Sequence, residues 1–100
     1  MTTWADPPAA GVAVITVVRA PACHFCVDAA DALAELGREF PIRVEAVEAG
    51  EPRGAALVRQ HRAPMFPLVL VNGGYFSSGR LPRRKLAAVL AAARTATGVA

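Results

Sequence analysis

The chain has 100 residues, 54% of them hydrophobic and 19% charged, with a net charge of +3. That length suits one domain with its own core, and the apolar fraction excludes a disordered chain. The mild positive charge falls short of the concentrated stripe of a nucleic-acid binder, and no apolar run approaches the roughly 20 residues that cross a bilayer. Neither a nucleic acid nor a membrane is expected as a partner.

Residues 1–10 read as a loose leader, with Pro7 and Pro8 opposing regular structure. They have neither the basic start nor the apolar centre of a secretory signal. The expected location is therefore cytoplasmic, where thiols are kept reduced and a cysteine pair is catalytic or metal-binding rather than structural. A single domain is expected over residues 11–98.

Residues 11–18 form a nearly continuous β-branched apolar run, the pattern of a buried strand. Ala20, Pro21 and Ala22 make a loop. A helix follows over 23–37, with Val27, Ala30, Leu33, Ala34 and Gly37 on one face and Gly37 as its terminator. Residues 41–48 alternate, with Ile42, Val44, Ala46 and the adjacent Val47 as the apolar side of a strand that is half exposed or near an edge. Gly50 breaks it. Residues 51–62 read as a short helix with Pro52 in its first turn, or as an irregular loop.

Residues 67–71 are a third, buried strand. Asn72 and Gly73 both accept positive φ and mark a tight hairpin turn, with a return strand over 74–78. The last helix covers 81–96, with Pro82 in its first turn, a stripe of Leu86, Val89, Leu90 and Ala93, and Gly98 as its end. The order is β-α-β-α-β-β-α, an α/β class. Helical crossovers make the first half parallel, and the hairpin makes the second half antiparallel.

The chemistry concentrates at Cys23-His24-Phe25-Cys26, which holds the only two cysteines of the chain. Two thiols three residues apart at a helix start can close on each other as a disulfide, and the helix N-terminus favours the thiolate of the first. Strand, then C-x-x-C, then helix points to thiol–disulfide chemistry. A zinc site needs four ligands, and the only imidazoles are His24, between the cysteines, and His61, so no intrinsic metal is expected.

This order, with C-x-x-C opening the first helix and Pro67 opening the third strand, resembles the thioredoxin fold, a four-stranded mixed sheet flanked by three helices. The resemblance is closest to the glutaredoxin branch. Phe25 is aromatic, as in its C-P-Y-C motif, and the segment from Phe66 and Pro67 to Asn72 and Gly73 resembles its T-V-P-x-V-F-V-N-G. The resemblance implies a cis peptide bond before Pro67, a proline facing the cysteines, and a Phe66 backbone that pairs with a bound thiol substrate. It stops short of the glutathione-binding G-G-x-D-D, whose positions are Ser77, Ser78, Gly79, Arg80 and Leu81 here. The basic residue commonly set before the first cysteine is absent too.

The implied function is a thiol–disulfide oxidoreductase. Cys23 attacks, its pKa lowered from about 8.5 by the first helical turn. Cys26, one turn inside and more buried, resolves the mixed disulfide. His24, Phe25, Phe66, Pro67, Ser77 and Ser78 are the expected substrate groove. His24 carries two readings: an imidazolium that favours the thiolate, or an exposed residue of little effect. Phe25 is either an apolar lip or packing against the hairpin. Tyr75 and Phe76 are expected as hairpin packing, and His61 as a surface partner of a helix C-terminus. Arg80, Arg83, Arg84 and Lys85 are a solvated face or a docking site for an acidic partner.

No resident cofactor is expected, while glutathione or another small thiol can be the co-substrate. Expected partners are a disulfide-bearing protein or small thiol and a reductase or thiol as electron donor, with the chain a monomer. The alternative function is non-catalytic: an iron–sulfur or metal carrier, or a redox-sensing adaptor, using the same dithiol.

Overall fold

A computed structural model of the chain describes the backbone of residues 12–99 and the side chains of residues 12–93. The leader expected over 1–10 lies outside the described residues. Seven elements follow in order: β1 (Ala13–Arg19), α1 (His24–Leu36), β2 (Ile42–Glu48), α2 (Pro52–His61), β3 (Leu68–Val71), β4 (Gly74–Ser78) and α3 (Arg83–Val99). The strands form one sheet in the order β2-β1-β3-β4. β1 runs parallel to β2, with Ala13 opposite Ile42 and Arg19 opposite Glu48. β3 lies antiparallel to β1 and to β4. The expected mixed sheet with three helices is the observed one, and residues 51–62 are helical rather than irregular.

Both faces of the central strands are covered, which explains their unbroken apolar sequence. Ile15, Val17, Val69 and Val71 meet α1 and α3 through Ala29, Leu33, Leu86 and Leu90. Val18, Val47, Leu68 and Leu70 meet α2 through Leu57 and Val58. The β3–β4 turn has Asn72 at φ 48° and Gly73 at φ 85°. Asn72 also closes onto β1: its Oδ1 accepts the Val14 N–H at 2.8 Å, and its own N–H donates to the Val14 carbonyl at 2.8 Å.

The buried face of α1 is Cys26, Ala29, Ala32, Leu33 and Leu36, whereas Val27 is 63% exposed and Ala30, Ala34 and Gly37 are exposed. Apolar residues surround most of this helix, so periodicity leaves its rotation open and the sheet selects the larger Leu36 over Ala34. On β2, the edge strand, Val44 and Ala46 are exposed and face α1 across an open groove. α3 starts after Pro82, whose carbonyl accepts the Leu86 N–H at 3.0 Å, and it continues through Gly98, since a helical glycine costs only about 1 kcal/mol. Of its expected stripe Leu86 and Leu90 are buried, Val89 packs at the edge, and Ala93 is exposed.

Finally, His61 stands in the last turn of α2, as expected, but is not fully at the surface. It is half-buried, with its ring centroid 6.2 Å from that of Tyr75 and its Nε2 buried without a hydrogen-bond partner.

Candidate active site

The end of β1 and the start of α1 are joined by a short loop, so whatever sits at that helix start is fixed against the sheet. Cys23 is the N-cap of α1, with extended backbone at φ −113°, ψ 107°. Its carbonyl accepts the N–H groups of Cys26 at 3.1 Å and Val27 at 3.2 Å, and its Sγ accepts the Cys26 N–H at 3.1 Å. A sulfur thus occupies the place that a serine or aspartate oxygen usually takes at a helix start. Cys23 and Cys26 are joined as a disulfide, their Cα atoms 5.2 Å apart.

The two sulfurs differ in access. Cys26 points inward at 9% exposure, while Cys23 is half-buried and lines an open depression of about 490 Å³. His24, Phe25 and Phe66 stand on the wall of that depression. Phe25 is 39% exposed and belongs to neither core, which makes it a lip. His24 is exposed. The Phe66–Pro67 bond is cis, as the resemblance implied, and Pro67 is buried.

Pro67, Ser77 and Ser78, also expected in the groove, do not line this depression. Ser78 Oγ is hydrogen-bonded to the Tyr75 hydroxyl at 3.1 Å, and Ser77 Oγ is buried without a partner. The far wall is supplied by Met65, which is 48% exposed. Sequence reading passed over this residue. Its one signal was its place between two prolines, Pro64 and Pro67, ahead of the third strand. Gly79, at φ 85°, lies beneath it: a Cβ at Gly79 would stand 3.3 Å from Met65 Sδ. The Gly79 N–H in turn donates to the Pro67 carbonyl at 3.1 Å.

Cys26 also borders a second, apolar groove of about 480 Å³ between α1 and β2, walled by Ala30, Ala34, Val44 and Ala46. Among the described residues no group of three or more histidines, cysteines or carboxylates could hold a metal ion. No described helix is long and apolar enough to cross a membrane.

The sequence matches no protein-family profile and no curated protein. The structure does have solved counterparts. One is the solution structure of an uncharacterized thioredoxin-like protein from Clostridium perfringens, with a TM-score of 0.64 and 16% identity over 85% of this chain and 73% of that one. Likeness at that identity is a likeness of architecture. The chain has a thioredoxin-like fold, with its cysteine pair at the start of α1.

Proposed function

We propose that this thioredoxin-fold chain is a thiol–disulfide oxidoreductase of the glutaredoxin-like kind, with Cys23 as nucleophile and Cys26 as resolving thiol. The observation that carries this reading is the asymmetry of one bonded pair: Cys23 lies in an open apolar depression, and Cys26 lies beneath it. An inert structural bridge has no need for one sulfur to face an open depression.

Starting from the dithiol, the Cys23 thiolate attacks one sulfur of a substrate disulfide. A Cys23–substrate disulfide forms, and the other substrate sulfur leaves as a thiolate. The Cys26 N–H directed at Cys23 Sγ, with the positive end of α1, stabilises the attacking anion. Cys26 then loses its proton and attacks Cys23 Sγ. The Cys23–Cys26 disulfide closes, and the substrate's second sulfur departs. Two electrons pass from dithiol to substrate, and an external thiol or reductase restores the dithiol. The substrates are disulfide-bearing proteins or small thiols, the chain works as a monomer, and the cytoplasm suits this direction.

A redox titration with alkylation of free thiols and mass spectrometry tests the reading. We expect one two-electron transition between dithiol and intramolecular disulfide. Cys23→Ser should abolish turnover of a small disulfide, and Cys26→Ser should accumulate mixed disulfides on Cys23. Turnover that survives Cys23→Ser, or a dithiol that never closes at any poise, overturns the proposal.

A further inference from the structure

Residues 80–85 carry four cations in a stretch of six: Arg80, Arg83, Arg84 and Lys85. Arg83 is neutralised twice, by Asp28 at 2.9 Å and Glu35 at 2.6 Å. Arg80 and Arg84 are exposed and in no ion pair among the described residues. Lys85 Nζ stands 5.4 Å from the Phe76 ring centroid, a contact that orients the ammonium and leaves its charge uncompensated. The first turn of α3 holds no acidic residue. Neighbouring like charges repel, so this arrangement works against the fold. The stretch also surrounds a concavity of about 650 Å³.

Two contacts tie that stretch to elements that carry or wall the redox pair. The Arg83–Asp28 bridge fastens the stretch to α1 two residues beyond Cys26. Gly79, the residue before Arg80, underlies Met65, and Met65 lines the depression at Cys23. The cationic stretch therefore starts one residue past Gly79, whose backbone packs against the Met65 wall of the Cys23 depression.

We propose that Arg80, Arg84 and Lys85 form a docking surface for an acidic segment of a partner protein whose disulfide exchanges at Cys23. The identity of the exchanging partner rests on the redox reading above; the docking surface does not. The charge calls for an acidic occupant. The adjoining apolar wall of Phe25 and Met65 calls for a polypeptide rather than a small anion, because it offers a place to an apolar side chain next to the reacting sulfur. Opposed charge then steers the encounter and sets the orientation in which the two sulfurs meet.

The test uses fluorescence anisotropy on the whole oxidised chain with three labelled probes: a cysteine-free glutamate-rich peptide, its lysine-rich counterpart and an oligothymidylate. At about 20 mM salt, where screening is weak, the glutamate peptide should bind about tenfold tighter than the lysine peptide. It should lose about tenfold in the R80E/R84E variant and weaken steeply near 0.5 M salt. Equal binding of the two peptides to the wild-type chain overturns the proposal, as does oligothymidylate binding as tightly as the glutamate peptide. So does a folded R80E/R84E variant that binds like the wild type.

A second measurement follows mixed-disulfide formation by the Cys26→Ser chain with acidic and basic disulfide peptides. The acidic one should react about tenfold faster at low salt. Equal rates overturn the docking surface and leave the redox reading standing. No reaction with either, beside intact anisotropy, overturns the redox reading and leaves the docking surface standing.

Discussion

Ala22 is the least comfortable residue around the cysteines. It has φ 52°, in the left-handed region, immediately ahead of the N-cap Cys23. An L-residue with a Cβ pays roughly 1–2 kcal/mol there, and glycine pays almost none. Glycine also gains freedom in the unfolded chain, which takes back part of that difference. Ala22→Gly is therefore expected to raise stability by up to about 1 kcal/mol in urea titration, and a clear loss would show that the turn carries no strain. Nothing about an alanine in the sequence announces positive φ. Cys23 and Cys26 needed no such help, because their spacing and their place at a helix start were readable directly. Met65 was not readable, because its role comes from lying over Gly79, a residue 14 positions away.

At the scale of elements, close approach matters more than propensity. α2 crosses the end of β2 at Gly54, where an added Cβ would collide with the Glu48 carbonyl and stand 3.1 Å from Ala49 Cα. Both are backbone, so neither can swing aside. Alanine at this position would gain about 1 kcal/mol in helix propensity, yet Gly54→Ala is expected to cost a net 1–3 kcal/mol, roughly. A thermal melt that matched or exceeded the wild type would show that α2 can shift. Elsewhere the elements are held by looser means. Arg83 ties α3 to α1 through Asp28 and Glu35, but it is 43% exposed, so each bridge contributes only about 0.2–1 kcal/mol. The rotation of α1 shows the same hierarchy: burial of Leu36 and Cys26 against the sheet decides it, and the weak alanine pattern follows.

Across the whole molecule one sheet separates two cores, one under α1 and α3 and one under α2. Leu86 and Leu68 are each fully buried, one on either side. Since β1 and β3 contribute to both cores, neither side can loosen alone. Leu86→Ala and Leu68→Ala should each cost about 2–5 kcal/mol. Each should also leave a single transition, coincident by far- and near-ultraviolet circular dichroism. Two separated transitions would mean that the two sides unfold independently.

By itself the sequence determined the order of elements, the hairpin turn and the cysteine pair at a helix start. Each of these is a local matter: β-branched runs, the φ > 0 of Asn72 and Gly73, and a three-residue spacing that brings two sulfurs within bonding reach. Tertiary structure alone decided which face of α1 is buried, that Met65 rather than Pro67, Ser77 or Ser78 walls the depression at Cys23, and that His61 comes near Tyr75. It also brought Arg83 of α3 onto Asp28 of α1, 55 positions earlier. The physical reason is common to all of these. Rotation of a helix, the lining of a depression and the proximity of a charge depend on contacts between segments distant in the chain, and no local periodicity encodes them.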